Sequence, residues 1–342
     1  MLTERHVDGC RDALGELFPR KRLPQVISEL NRRWAEKQRG YHGVGHLLLL
    51  LDQIEAEAPA SVQRALIQVA LFHDAVYLPG AADNEARSAA LLNGCKATAV
   101  QTAILESKWD KAPTSKLGKL FFEFDAWSLS SGPTPSQRLA TERGVFKEYQ
   151  SAGWAAYREG REAFLKKWTA IFPIHKKGCA EQREALHAFR PSIAAYPGSF
   201  NPFHYGHLSV LREAERIFDQ VVILGGINPR KLNEKRVMDT AEQLRFHQVR
   251  TFPGLLNEYL DAEFPGVTLV RGVRNGTDLE EELKWQRFMK SLAPNCPVVW
   301  IGTAPEYQHI SSSAIREIGY FNEELSRRYF PSVAEVYELV AE

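Results

Sequence analysis

Two patterns of hydrophobic and polar positions divide the chain. From about residue 5 to 188, apolar residues recur every three or four positions, which predicts amphipathic helices, whereas after about residue 190 short β-branched runs alternate with helical stretches. The clearest predicted helices are 26–38, 46–58, 61–77, 84–95, 154–172, 179–190, 208–218 and 279–292, and the predicted strands are 192–196, 219–226, 266–272 and 297–302. This order predicts an all-α domain, residues 1–188, followed by an α/β domain with a doubly wound parallel sheet, residues 189–342.

Composition narrows the class of protein. The chain has 342 residues, 44% of them hydrophobic and 25% charged, which is ordinary for a soluble globular protein with two cores. A formal net charge of +1 predicts no general attraction to nucleic acid or to anionic membranes. The four cysteines, Cys10, Cys95, Cys179 and Cys296, lack disulfide or zinc spacing, and the longest aliphatic run is the five leucines 47–51. We therefore expect a cytoplasmic protein with no nucleic-acid or membrane partner.

The stretch PGSFNPFHYGH, residues 197–207, lies between a predicted strand and a predicted helix. A helix start offers unpaired backbone N–H groups and the positive end of a dipole, and both attract phosphate. His204 and His207 stand at this helix start, so the stretch predicts that a phosphate is handled there as well as bound.

Cationic and hydroxyl side chains follow each later strand of the predicted sheet. In such sheets, ligands bind at the carboxyl ends of the strands, near the point where the strand order reverses. A crevice of this composition suits a triphosphate that passes through a negatively charged transition state. The side chains are Lys231 after the second strand, Arg271 and Arg274 after the third, and Ser311, Ser312, Ser313 and Arg316 after the last.

Four motifs in this half resemble, in the same order, those of the phosphopantetheine adenylyltransferases. These enzymes belong to the nucleotidyltransferase superfamily, whose hallmarks are H-x-G-H and I-S-S-S/T-x-x-R. The similarity covers about residues 193–340 and rests on YPGSFNP, FDQVVILGGINPRK, LVRGVRNGTDLEEEL and ISSSAIREI. It implies that AMP is transferred from ATP, with Mg²⁺, to a phosphorylated acceptor without a covalent enzyme intermediate. The first candidate acceptor is 4′-phosphopantetheine, which would give dephospho-coenzyme A and pyrophosphate.

The resemblance also implies roles for individual residues. His207, helped by His204, would stabilise the α-phosphate of ATP, and Lys231 would contact the acceptor phosphate. Arg271 would hold the ATP phosphates and the acceptor near them. The other implied binding residues are Ser199 and Phe200 in the turn, Gly272, Arg274 and Glu282 on the adenosine side, and Ser311, Ser312, Ser313 and Arg316 at the β- and γ-phosphates.

Two departures from this family leave the acceptor open. His204 stands where the family usually has threonine, and GSFNPFHYGHL is more similar to the nicotinate-mononucleotide adenylyltransferases. The predicted helix 279–292 carries Glu281, Trp285 and Met289 where the family has tyrosine, leucine and asparagine. A nicotinate or nicotinamide mononucleotide is therefore the alternative acceptor. A homo-oligomer also stays open, because relatives of this domain form oligomers.

Histidines and aspartates in the first half suggest a metal centre. His42 and His46 lie four apart, so on one helix they would face the same side, and His73 and Asp74 are adjacent. Asp125 lies in the apolar stretch FFEFDAWSL, where an unpaired carboxylate would be costly. Imidazole and carboxylate ligands together suit a divalent transition metal.

This set resembles the signature of the HD superfamily of metal-dependent phosphohydrolases. The segments YHGVGH, FHDAVY and NEARSA are similar to one subfamily, and the implied ligands are His46, His73, Asp74 and Asp125, with His42 as a further candidate. The resemblance implies a divalent transition metal such as Mn²⁺, Fe²⁺, Zn²⁺ or Ni²⁺. Glu85 and Lys108 are accessory candidates, with surface charges as the equal alternative. Between the His-Asp pair and the last aspartate, the subfamily normally has a further histidine, but the segment AILESKWDK has none. A centre with a single metal ion therefore stays open as an alternative to one with two. The alternative is a metal-stabilised regulatory or assembly module without catalysis.

Overall fold

The computed structural model describes residues 4–227, 240–292 and 295–340, which form two compact units. Unit 1 contains the residues up to Tyr149, Trp154–Phe189 and the C-terminal residues from Glu338, and unit 2 contains Gln150–Gly153 and Arg190–Tyr337. Within these described ranges, no helix has the length and apolar character needed to cross a bilayer.

Unit 1 is helical, as the periodicity predicts. Its helices are α1 (Glu4–Gly15), α2 (Leu23–Trp34), α3 (Val44–Glu57), α4 (Ala60–Phe72), α5 (Asn84–Ala90), α6 (Thr98–Glu106), α7 (Lys116–Asp125), α8 (Pro135–Glu148), α9 (Trp154–Ile171) and α10 (Lys176–Ala188). The local sequence explains where two of these helices begin. The Ser115 side chain accepts from the Gly118 N–H at α7, and Thr134 and Gln137 form a reciprocal capping box at α8.

Two helix boundaries differ from the prediction at the candidate metal ligands. α3 begins at Val44 because its N-cap Gly43 is extended, so His42 lies in the preceding turn and does not share a helix with His46. The expectation that the two histidines occupy one helical face is therefore wrong. α4 ends at Phe72, so His73 and Asp74 lie just beyond its C-terminus and can both approach a point off the helix.

The leucines of α3 belong to the core of unit 1. Leu47, Leu50 and Leu51 are buried among apolar side chains of α2, α4 and α7, including Phe121. Burial of one such side chain contributes about 1.5–3 kcal/mol. This packing fixes α3, α4 and α7 against one another, and those helices carry or adjoin His46, His73 and Asp125.

Unit 2 contains a five-stranded parallel sheet, which confirms the predicted sheet type. The strands are β1 (Ile193–Gly198), β2 (Gln220–Ile227), β3 (Val249–Pro253), β4 (Thr268–Val273) and β5 (Val298–Gly302), in the order β3-β2-β1-β4-β5. The helices of this unit whose two ends both lie in the described ranges are α11 (Tyr205–Ile217), α12 (Leu256–Glu263), α13 (Gly276–Leu292), α14 (Ser312–Phe321), α15 (Glu323–Arg327) and α16 (Val333–Tyr337).

Strand β3 is absent from the predicted strands, and its sequence explains why. Of VRTFP only Phe252 is buried, while Arg250 and Thr251 are exposed, so the strand has no apolar run. It lies at the edge of the sheet and ends in Pro253, a residue that sheets tolerate at such positions. Its pairing with β2 is therefore a tertiary effect that local pattern does not encode.

The strand order reverses between β1 and β4. β1 pairs with β2 on one side and with β4 on the other, where Ala194 lies opposite Thr268 and Ala195 opposite Leu269. The turns that follow β1 and β4 therefore open at the same edge of the sheet, at its switch point. Ligands of doubly wound sheets bind in this crevice.

The contact of α10 with the turn after α7 provides a test of unit 1. A Cβ at the buried Gly178 would collide with the backbone oxygens of Leu129 and Ser130, which follow the Asp125 segment. Gly178→Ala should therefore lower the free energy of unfolding by about 1–3 kcal/mol. The matched control is Gly160 in α9, where a Cβ meets nothing within 4 Å and alanine should raise stability by about 0.5–1 kcal/mol.

Urea unfolding of both variants measures these changes. Equal midpoints for Gly178→Ala and the wild type would mean that α10 does not pack on this turn as described.

Candidate functional site

His204 and His207 cap the start of α11 reciprocally. His204 is the N-cap, and its Nδ1 accepts from the His207 backbone N–H at 3.4 Å, while His207 Nδ1 accepts from the His204 N–H at 3.3 Å. The two rings stack with centroids 3.7 Å apart. A neutral imidazole carries one proton, so an accepting Nδ1 places that proton on Nε2. The pair therefore presents two Nε2–H donors at a helix N-terminus.

Burial keeps both imidazoles neutral. It lowers the pKa of His204 to about 4, and the nearby Arg274 guanidinium lowers it further in the same direction. Burial also holds the pKa of His207 well below its usual range, with contributions from His204 and Arg274. At neutral pH the pair donates hydrogen bonds without carrying charge.

The turn after β1 is shaped by Phe200. This residue has φ +40° and is buried, and its ring meets the His207 ring edge-on with centroids 5.1 Å apart. Gly198 is required beneath it, because a Cβ there would lie 2.8 Å from the Phe200 ring. The turn therefore fixes His207 from one side and leaves Ser199 exposed at the crevice.

The two arginines after β4 are held by acidic partners. Arg271 donates from Nε and Nη2 to both oxygens of Glu282, at 2.7 and 2.6 Å, and its guanidinium lies 4.5 Å from the Trp285 ring centroid. Arg274 forms a similar pair with Asp278, at 2.7 and 3.0 Å. The structure thus brings Arg271 and Glu282 into one ion pair. A bound anion would share these cations with their carboxylates.

The serine segment docks α14 on the same turn. Ser311 is the N-cap and accepts from the Ala314 N–H at 3.2 Å, and Ser312 Oγ donates to the Pro202 carbonyl at 3.2 Å. Arg316 donates to the Asn201 carbonyl at 2.6 Å and to Ser313 Oγ at 3.1 Å. Two helix N-termini, those of α11 and α14, therefore adjoin one turn, an arrangement that favours anions.

Gly272 is in close contact, since a Cβ there would lie 3.0 Å from Val210 Cγ2 and 3.4 Å from the Tyr196 hydroxyl. Lys231 lies outside the described residues.

In unit 1, three predicted ligands converge. The candidate ligand atoms of His46, His73 and Asp125 all lie within 4.8 Å of one another, and Asp125 Oδ1 is 3.1 Å from His46 Nε2 and 3.5 Å from His73 Nε2. The fourth, Asp74, lies beside this group with Oδ2 3.3 Å from His73 Nε2. We call His46, His73 and Asp125 the triad.

The hydrogen bonds of the triad fit a divalent cation. His73 Nδ1 is 2.9 Å from the Ala70 carbonyl and so carries a proton, which leaves Nε2 free to bind a metal. His73 Nε2 is buried, makes no hydrogen bond with any residue in the described ranges, and faces Asp74 Oδ2 and Asp125 Oδ1 at 3.3 and 3.5 Å. A buried nitrogen that faces two carboxylates in this way is part of a donor set that a cation would satisfy.

The same carboxylates control protonation around the triad. Burial disfavours charge on His73, but Asp74 and Asp125 outweigh it and raise the pKa of His73 well above its usual range. In return, His73 lowers the pKa of Asp74 to about 2 despite burial, and His73 and His46 lower that of Asp125 strongly. The centre is therefore anionic enough to hold positive charge in its interior.

Glu148 is a residue of this site that the motifs do not reveal. It is 1% exposed, accepts from the backbone N–H groups of Tyr41 and His42 at 2.8 and 2.7 Å, and accepts from the Tyr77 hydroxyl at 2.8 Å. Its Oε2 also lies 2.8 Å from His42 Nδ1, and the His42 ring is 5.9 Å from that of His46. Glu148 therefore orients His42 beside the triad, and no sequence spacing signals this contact.

Trp109 is a second residue that the motifs do not reveal. Its indole Nε1 donates to Asp125 Oδ2 at 2.6 Å, and the residue has φ +49°. The only signal in the sequence is a tryptophan in a polar segment, SKWDK, whose burial at 9% exposure is a tertiary effect.

Glu85, one of the two accessory candidates, lies close enough to Asp74 and His73 to interact with their charges, and Lys108 lies equally within range of Glu85. Burial and the Asp74 carboxylate raise the pKa of Glu85, whose charge also interacts with Lys108 and His73. Lys108 Nζ donates to the Ala82 carbonyl at 2.9 Å.

Comparison with known proteins places unit 2. A cytidylyltransferase-like domain matches residues 195–318. The phosphopantetheine adenylyltransferase of Acidovorax sp. (strain JS42) is 35% identical over 152 residues, which is 42% of this chain and 90% of that protein. Those of Chloroflexus aurantiacus and Cyanothece sp. are 38% and 39% identical over 136 and 141 residues, or 37% and 38% of this chain and 82% and 80% of those proteins. Through its C-terminal part, the chain belongs to the phosphopantetheine adenylyltransferase family of nucleotidyltransferases.

Proposed function

We propose that unit 2 transfers AMP from ATP to 4′-phosphopantetheine and releases pyrophosphate, with dephospho-coenzyme A as the other product. The observation that carries this proposal is the reciprocal cap of His204 and His207, which directs two neutral N–H donors from the start of α11. The names of the relatives supply the acceptor.

In this reaction an oxygen of the acceptor phosphate attacks the α-phosphorus of ATP. A new P–O bond forms as the bond to the pyrophosphate oxygen breaks, and negative charge increases on the α-phosphate oxygens. The Nε2–H groups of His204 and His207 donate to that charge, and they do so without titrating because both rings are neutral. The N-terminus of α14 would hold the leaving pyrophosphate, and Ser199 and Lys231 the acceptor phosphate. Mg²⁺ would enter with ATP.

The alternative acceptor is nicotinate or nicotinamide mononucleotide. The Trp285 ring, which stacks on Arg271 at 4.5 Å, offers an aromatic face next to a cation. A pyridine ring could stack on such a face, whereas the arm of 4′-phosphopantetheine offers no aromatic group.

A panel of acceptors separates the two. Pyrophosphate release from ATP and Mg²⁺ should require 4′-phosphopantetheine and should be absent with nicotinate mononucleotide, nicotinamide mononucleotide or glycerol 3-phosphate. His207→Ala should lower kcat about 10²–10³-fold, because one preorganised donor to the transition state is lost. Circular dichroism and the melting temperature check that the variant is folded. If pyrophosphate is released only with a pyridine mononucleotide, that mononucleotide and not 4′-phosphopantetheine is the acceptor. If no acceptor of the panel gives pyrophosphate, the proposed reaction is contradicted.

The tautomers can be measured directly. In ¹⁵N-labelled protein, His204 and His207 should show neutral rings protonated at Nε2 from pH 8 down to pH 6, because burial lowers both pKa values. Below about pH 6.5, the usual histidine pKa, both histidines bind protons in the unfolded chain but stay neutral in the folded protein. Stability should therefore decrease as pH decreases toward 4, by up to about 1.4 kcal/mol per pH unit for each histidine. Titration of either ring near pH 6.5 in the folded protein would contradict the assignment.

We propose further that unit 1 is a metal-dependent phosphohydrolase. The support is the triad, whose buried nitrogens face carboxylates at metal-ligand spacing. When bound, a divalent ion lowers the pKa of a water molecule and so favours hydrolysis of a phosphoester. His46, His73 and Asp125 would hold the ion, with Asp74 beside His73. Glu148 fixes His42 at the edge of the site, where its imidazole can donate to a phosphate oxygen.

A phosphatase screen tests this second activity. Release of phosphate from p-nitrophenyl phosphate and nucleoside monophosphates, with Mn²⁺, Fe²⁺, Ni²⁺ or Zn²⁺, should decrease at least about 100-fold in His73→Ala, because a metal ligand is lost. His187→Ala, an exposed histidine of the same unit that lies near Glu162, is the control and should retain full activity. Binding of metal without hydrolysis of any ester would favour the alternative of a metal-stabilised regulatory or assembly module.

A further inference from the structure

The two oxygens of Asp125 have different surroundings. Oδ1 faces the imidazoles of the triad, 3.1 Å from His46 Nε2 and 3.5 Å from His73 Nε2. Oδ2 instead accepts the indole N–H of Trp109 at 2.6 Å, a short, charge-assisted hydrogen bond. One oxygen therefore points into the triad while the other is already occupied by the protein.

The backbone at Trp109 supports a specific role for this contact. Its φ of +49° lies in the left-handed region, which is unfavourable for a bulky residue and costs about 1–3 kcal/mol. Such strain persists only where the surroundings determine it. Here the indole is buried against Phe121 and Phe122, with ring centroids 6.4 and 5.0 Å away, in the orientation that directs Nε1 to Asp125.

We propose that Trp109 is a positioning residue that makes Asp125 a ligand through Oδ1 alone, so that the centre takes a single divalent ion. An ion at Oδ2 would have to displace the indole and leave a buried N–H unpaired, at a cost of about 1–3 kcal/mol. The ions of a two-metal site lie about 3.5–4 Å apart, and a carboxylate that bridges them through both oxygens needs both oxygens unoccupied, which the indole contact at Oδ2 prevents for Asp125. In the described ranges, the triad is the one group of three or more His, Cys, Asp or Glu residues with ligand spacing.

This inference rests on the metal centre proposed for unit 1, and the chain offers a matched control. Trp168 lies in the same core and is 6% exposed, against 9% for Trp109. It also donates its indole N–H to a buried side chain, His175 Nδ1, at 3.2 Å. Trp109→Phe and Trp168→Phe therefore make the same chemical change in similar packing, and only the first removes a donor to a triad ligand.

Metal binding by the full-length, chelator-treated protein tests the proposal. Titration with Mn²⁺, with free ion followed by electron paramagnetic resonance, should give one ion per wild-type chain. Loss of a partner that orients a ligand should weaken binding about 10–100-fold in Trp109→Phe. In Trp168→Phe the affinity should be unchanged. Circular dichroism confirms that both variants are folded.

A second readout follows the indole itself. In protein labelled with 5-fluorotryptophan, the resonance missing from Trp109→Phe should shift when Zn²⁺ is added, and the resonance missing from Trp168→Phe should not. Two Mn²⁺ ions per wild-type chain, both lost in His73→Ala, or an unchanged affinity in Trp109→Phe, would overturn the proposal. A wild-type chain that binds no Mn²⁺ at the triad would instead refute the metal centre.

Discussion

Asp125 and His207 are both half-buried, and an ionisable group that loses most of its contact with water must either lose its charge or pair it. His207 follows the first course, because burial and the Arg274 cation hold its pKa low enough to keep the ring neutral. Asp125 follows the second, because imidazoles and an indole N–H surround its carboxylate. The chemistry open to each unit depends on this choice: neutral donors suit an anionic phosphate, and buried carboxylates suit a cation.

In unit 2, the sheet decides where the neutral donors stand. The strand order reverses between β1 and β4, so the turns after those strands open at one edge. Phe200, at φ +40°, packs on the His207 ring, and Ser312 and Arg316 dock α14 on the carbonyls of Pro202 and Asn201. The proposed anion site thus consists mainly of backbone and helix ends, with side chains that fix their orientation, so contacts within the protein determine its geometry.

The sequence predicts what is local and misses what depends on distant contacts. Helical periodicity and β-branched runs predict unit 1 and four of the strands, but β3 has one buried residue, and its pairing with β2 comes from the sheet. The motifs identify the triad, yet they place His42 on α3, because nothing in YHGVGH shows that Gly43 is extended. Glu148 is 106 residues from His42, and Trp109 reaches Asp125 through a positive φ, so neither contact has a spacing to recognise.

The histidines of the two units also respond to protonation in opposite ways. In unit 2, a proton on His204 or His207 would create an unpaired buried charge, so protonation opposes the fold. In unit 1, Asp74 and Asp125 raise the pKa of His73, so the fold without metal favours the proton. A divalent ion needs the same imidazole in its neutral form, and protons and metal therefore compete for one nitrogen. The carboxylates around His73 therefore favour a positive charge in the centre proposed for unit 1, whereas the environment of the two imidazoles in unit 2 excludes one.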